Sequence, residues 1–145
     1  MTLVELICSI MIMLVLTMAV LPLARIRIKR ERERELHAAL DEMRAAIDRY
    51  KDASDRGLIQ VKLGSEGYPP DLDSLVKGVD MVGQVDKKFK FLRRIPMDPM
   101  TRSTEWGMRS MQDDPQSDSW GGQNIFDVYT KSSGVALNGT KYKDW

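Results

Sequence analysis

Apolar and polar positions divide this chain into three regimes. Residues 6–24, LICSIMIMLVLTMAVLPLA, run for nineteen positions without a charge. From residue 25 the chain is densely charged, yet Leu36, Leu40, Met43, Ile47 and Tyr50 recur at steps of 4, 3, 4 and 3, flanked by Ala39 and Ala46. That spacing is one face of an amphipathic helix. Charges fill the opposite face, where Glu31, Arg32, Arg34 and Glu35 are placed for i,i+3 and i,i+4 pairs. The helix is predicted to end between Ser54 and Gly57, with Gly57 supplying the left-handed stop. Rod and amphipathic part join into one helix of about 50 residues at ordinary helical geometry. Pro22 removes one backbone donor and should kink or loosen that helix.

The rest reads as loops with short strands. Gly64-Ser65-Glu66-Gly67-Tyr68-Pro69-Pro70 forbids regular structure. Asp71 can cap a short helix beginning at Leu72. Phe89, Phe91, Leu92 and Ile95 supply core anchors before Pro96-Met97-Asp98-Pro99 breaks the chain. Trp106–Ser110 and Phe126–Thr130 read as strands, and Asn138-Gly139 as a tight turn. The expected class is α+β: a long N-terminal helix packed on a small antiparallel sheet that covers the stripe. Three segments follow: 1–24, an apolar helix; 25–56, its amphipathic continuation; and 57–145, a globular part.

As a helix, nineteen uncharged residues reach about 28 Å, close to the ~30 Å hydrocarbon core of a bilayer. A spanning segment must satisfy its own backbone, which leaves helix as its state. A signal-peptide core would be shorter, with a basic start and a small-residue cleavage site. A buried soluble helix would need a larger apolar partner than the remaining residues offer. An ordinary single-span anchor is the plain alternative. All twenty-two basic residues and all acidic residues but Glu5 lie beyond residue 24. With Arg25, Arg27, Lys29 and Arg30 directly after the span, charge bias alone would place the large domain in the cytoplasm. A basic leader removed before Met1 would reverse that.

Composition narrows the chemistry. The 145-residue chain is 43% hydrophobic and 30% charged with a net charge of +1, which suits a folded chain without a nucleic-acid bias. Cys8 is the one cysteine and His37 the one histidine. A His/Cys zinc site and Ser-His-Asp or Cys-His catalysis therefore lack their parts, unless His37 itself serves. His37 reads as a solvated surface residue among charges. No phosphate-binding G-x-x-x-x-G-K-[ST] motif is present. The reading is a structural subunit, not an enzyme. Glu5, a carboxylate at the edge of an apolar segment, is the functional candidate of the rod; the plain alternative is a wet headgroup-level acid.

Met1-Thr2-Leu3-Val4-Glu5-Leu6, an uninterrupted apolar helix and Pro22 resemble the mature N-terminus of type IV pilin-like proteins. Tyr68-Pro69-Pro70 with Leu72 and Leu75, Ile95-Pro96-Met97-Asp98-Pro99, and Ser119-Trp120-Gly121-Gly122 followed by Phe126-Asp127-Val128-Tyr129 are similar to segments of the major pseudopilins of type II secretion systems. Met1 departs from the phenylalanine usual there. The resemblance implies a short leader ending in glycine, a prepilin peptidase that cuts it and methylates Met1, and a domain outside the inner membrane, in the periplasm. It implies assembly through Thr2, Glu5 and Pro22, with self-association into a helical homopolymer. Minor pseudopilins, an inner-membrane assembly platform and a secretin channel are the further partners; nucleic acid is not one. Many type IV pilins close a C-terminal loop with a disulfide, for which this domain has no cysteine, whereas major pseudopilins typically use calcium. The loop at 131–140 has no carboxylate, so no metal site is expected there; Asp113, Asp114, Asp118 and Asp127 remain as calcium candidates elsewhere. A surface type IV pilin and a membrane-anchored binding domain are the alternative functions.

Overall fold

Residues 2–84 and 86–145 are described by a computed structural model of the chain. One helix, α1, runs from Leu3 to Asp55. It begins on Thr2, whose backbone is extended and whose hydroxyl accepts the Glu5 N–H at 3.4 Å. It ends as the sequence requires. Gly57 takes φ +67°, its N–H donates to the Ser54 carbonyl, and the Leu58 N–H donates to the Ala53 carbonyl. Those two bonds are a Schellman closure, which only a left-handed residue at position 57 permits at low cost. Pro22 lies inside α1 without ending it. Lacking an N–H, it leaves the Met18 carbonyl without its usual i+4 donor.

The C-terminal half of α1 forms the core. Leu36, Leu40 and Met43 have no exposed surface, and Ile47 and Tyr50 almost none. Ala39, Ala46 and Ala53 are buried beside them, so the stripe runs one turn further than the sequence pattern indicates. Against it pack Leu75, Phe91, Leu92, Trp106, Ile125 and Val128. Asp71 caps α2 (Leu72–Lys77) by accepting the Ser74 N–H at 2.6 Å. Phe91 and Leu92 both donate to the Leu75 carbonyl, which closes the chain over α2.

The fold is α+β, but its strands do not join into one sheet. β1 (Val79–Asp80) pairs antiparallel with β2 (Lys88–Phe89), and β3 (Gly107–Arg109) pairs antiparallel with β4 (Asp127–Tyr129). Asp and Ser side chains explain why the ladders stay short: they bond neighbouring backbone amides and so compete with strand pairing. Asp113 accepts from the Ser110 and Gly121 amides, Asp114 from Gln116, and Ser103 from Glu105. Gly107 is required in β3 because the Tyr129 ring lies against it; a Cβ there would stand 2.3 Å from Tyr129 Cζ. The Arg109 guanidinium covers the same ring, 4.1 Å from its centroid.

One sequence expectation needs correction. Phe89 is 37% exposed and stacks on Phe91 from outside, because the two-residue β2 pairs only with β1 and leaves both its residues exposed. Asn138-Gly139 makes the expected turn, across which Val135 and Lys141 form an antiparallel bridge. The Gly139 N–H donates to the Ala136 carbonyl and Gly139 holds φ +86°, so Leu137 and Asn138 are the central pair. The Asn138 side chain accepts the Thr140 N–H and hydroxyl, which stabilises this arrangement.

Candidate assembly surface

Every described side chain from Thr2 to Ile28 is exposed. The apolar part of α1 therefore projects from the domain with nothing of its own chain against it. Leu3, Met13 and Met18 are each more than 70% exposed. From Leu3 to Ala24 the rod is about 33 Å long at helical rise. One N-terminal helix is thus long and apolar enough to span a membrane. A continuous apolar surface of this size marks a membrane or protein interaction site.

The polar groups on the rod are few, and most bond to its own backbone. Ser9 donates to the Glu5 carbonyl at 2.8 Å and Thr17 to the Met13 carbonyl at 2.7 Å. Those bonds remove both hydroxyl protons from the apolar surface. Cys8 is a free, exposed thiol. Glu5 sits in the first turn, where the helix dipole favours a negative charge. Among the described residues it forms no ion pair. Met1, the expected processing and methylation site, lies outside the described residues.

Thr2 and Glu5 have a local role that the sequence reading missed. Thr2-Leu3-Val4-Glu5 is a capping-box sequence, and the Thr2 hydroxyl makes the forward bond of that box to the Glu5 amide. The signal was available in the T-x-x-E spacing.

Where α1 enters the domain, long-range pairs fix its register. Arg44 donates to Asp127 at 2.7 Å and also to the Val128 and Trp145 carbonyls. Arg109 meets the other Asp127 oxygen at 3.8 Å. Glu33 accepts from the Leu137 N–H and the Tyr142 hydroxyl, both at 2.9 Å. Burial first, then the hydrogen bond to Glu33 and its charge, push the Tyr142 phenol up to about 12. His37 is exposed as expected, but its ring stacks on Trp145 at 4.1 Å, so it also shields the C-terminal segment.

Asp98 is fully buried and organises the Pro96–Pro99 turn. Its carboxylate accepts from the Met100 N–H at 2.8 Å and from the Thr130 hydroxyl. Its backbone exchanges bonds with Ser103 and Arg102. This turn is thereby tied to the end of β4.

The four calcium candidates do not converge. Asp127 faces Arg44 and Arg109, Asp118 pairs with Lys143, Asp113 holds two backbone amides, and Asp114 caps Gln116. The two amides and the Ser110 side chain hold the Asp113 carboxyl below its usual range. Among the described residues no group of three or more His, Cys, Asp or Glu side chains gathers. This donor set does not fit the six to eight oxygens that calcium takes. Comparison of the chain with models of known families, with curated proteins and with solved structures found no match.

Proposed function

We propose that this chain is a pilin-like structural subunit that polymerises through its apolar helix, on the pattern of the major pseudopilins of type II secretion. The observation that supports this most is the division within one helix. The stripe from Leu36 to Tyr50 is covered by the chain's own domain, while the rod from Leu3 to Ala24 is covered by nothing. Such a rod has two stable environments, lipid and other copies of itself. Before assembly it spans the inner membrane with the domain in the periplasm. In the filament the rods pack in the core and the domains face outward. Growth of the filament then pushes cargo towards an outer-membrane channel, driven by a separate ATPase.

Glu5 sets the register in this mechanism. Within a core of packed apolar helices an ionised carboxylate is tolerable only when paired. The α-amine of Met1, which keeps its positive charge on methylation, is the proposed partner, contributed by a neighbouring copy. The pairing fixes how far each subunit rises before it locks.

Separating rod from domain tests the proposal. A fragment of residues 25–145 is expected to be folded and monomeric by sedimentation. The full chain, expressed with its assembly machinery, is expected to give sheared filaments by electron microscopy. Filaments from the fragment would contradict the assignment of polymerisation to the rod. A full chain that stays monomeric in membranes would favour the plain membrane-anchored domain.

A further inference from the structure

Directly after the apolar rod, α1 carries two basic stripes. Arg25, Lys29 and Arg32 follow at steps of 4 and 3 and share one face; Arg27, Arg30 and Arg34 follow at steps of 3 and 4 on another. The stripes have different surroundings. Arg25, Lys29 and Arg32 line a groove of about 470 Å³ between the helix and the edge of the domain. Ile28, Met100, Val135 and Tyr142 line it with them. Ile28 is 56% exposed and Val135 47%, so the groove offers open apolar surface beside its cations.

No carboxylate lines this groove, and its three cations form no ion pair among the described residues. Of the acids on this stretch of α1, two are engaged elsewhere, and Glu35 forms no ion pair among the described residues. Glu33 is held by Tyr142 and Leu137, and Glu31 pairs with Arg34 on the other stripe. At the domain edge Gly134 lies against Tyr142, where a Cβ would stand 2.9 Å from the ring.

We infer that this groove binds the headgroup of an anionic phospholipid. The phosphate would sit among Arg25, Lys29 and Arg32, and the glycerol backbone would lie against Ile28 and Val135. Depth favours a lipid over a soluble anion. With the rod across a bilayer, Arg25 is one residue past the hydrocarbon edge and Lys29 about 7 Å past it at helical rise. The headgroup layer extends roughly 5–7 Å beyond the hydrocarbon on each side. Helical side chains lean towards the N-terminus, which brings the Arg32 guanidinium back towards that layer. Cations at this depth attract anionic lipid, and the apolar surface beside them suits the glycerol backbone better than a free anion. The inference rests on the rod spanning a bilayer and is independent of polymerisation.

The test uses the full chain in nanodiscs containing equal phosphatidylglycerol and phosphatidylcholine, released into mild detergent and weighed by native mass spectrometry. The unaltered chain should retain phosphatidylglycerol in clear preference to phosphatidylcholine. The triple variant R25Q/K29Q/R32Q should lower that preference by at least about tenfold, taking the worth of each basic residue near an anionic surface. R27Q/R30Q/R34Q removes the same charge from the other stripe and should lower it by a clearly smaller factor, since the groove keeps its three cations and Arg34 is already paired with Glu31. I28S/V135S should weaken lipid retention with all cations in place. Equal losses from the two triple variants would reduce the effect to general charge attraction and overturn the site. Displacement of the lipid by inorganic phosphate at matched concentration would make it a free-phosphate site. Unaltered lipid preference in R25Q/K29Q/R32Q, with loss of filaments instead, would assign the stripe to an acidic partner on another copy.

Discussion

At the scale of single residues, the domain is held by side chains that tie α1 to distant loops. Tyr142 is 4% exposed and donates to Glu33 across 109 positions of sequence. Its phenol is raised from an ordinary 10 to about 12, so the neutral form is favoured in the folded state. The stabilisation is therefore complete below pH ~10 and is lost as pH rises from there through 12. Melting temperatures of the 25–145 fragment should fall across that window, and Tyr142→Phe should remove this part of the fall. The same variant should cost about 1–2 kcal/mol at neutral pH, since Glu33 loses one of its two donors. An unchanged alkaline profile in Tyr142→Phe would refute the assignment. Gly107 makes a second residue-scale test. Its Cα faces a ring pinned beneath Arg109, so Gly107→Ala must displace Tyr129. Overpacking of this kind costs about 1–3 kcal/mol, readable as a lower urea midpoint. Unchanged stability would mean that Tyr129 has room to move aside.

At the scale of elements, α1 was the most legible part of the chain and the strands the least. The stripe, the Gly57 stop and the Asp71 cap each depend on residues within a few positions of one another, which a sequence displays directly. Strands Gly107–Arg109 and Asp127–Tyr129 fell inside the expected segments, because alternation and flanking turns are also local. The Val79–Asp80 and Lys88–Phe89 ladder escaped notice: two-residue strands carry no periodicity. Phe89 was assigned to the core from its aromatic type, although the edge position of its strand leaves it outside. Pairs such as Arg44 with Asp127, and the His37 stack on Trp145, leave no local trace in sequence. Of the candidate assembly surface, the apolar rod is legible from its uncharged run, while the cap formed by Thr2 rests on a T-x-x-E spacing that is easily passed over. Leu40 probes how much the covered half of α1 contributes. It has no exposed surface, and Leu40→Ala should destabilise the 25–145 fragment by about 2–5 kcal/mol in chemical denaturation. A loss below ~1 kcal/mol would show that the stripe is not the centre of the core.

At the scale of the whole molecule, one helix serves two environments, its second half buried in the domain and its first half bare. Glu5 is the one carboxylate on the bare half, and two physical roles compete for it. In the first turn of α1 it stands where the helix dipole favours a negative charge, and its backbone N–H donates to the Thr2 hydroxyl, a bond that any side chain at position 5 keeps. As the proposed partner of a neighbour's amine it needs its charge, and loss of one member of a desolvated pair costs on the order of 3–5 kcal/mol. Glu5→Gln keeps the shape of the side chain and removes its charge. The decisive measurement is filament yield in cells carrying Glu5, Glu5→Ala or Glu5→Gln, normalised to the amount of subunit in the membrane. The proposed account predicts normal membrane levels for all three and a loss of filaments for both variants. Filaments at the unaltered yield from Glu5→Gln would reduce Glu5 to a solvated acid at the start of α1 and contradict the register mechanism.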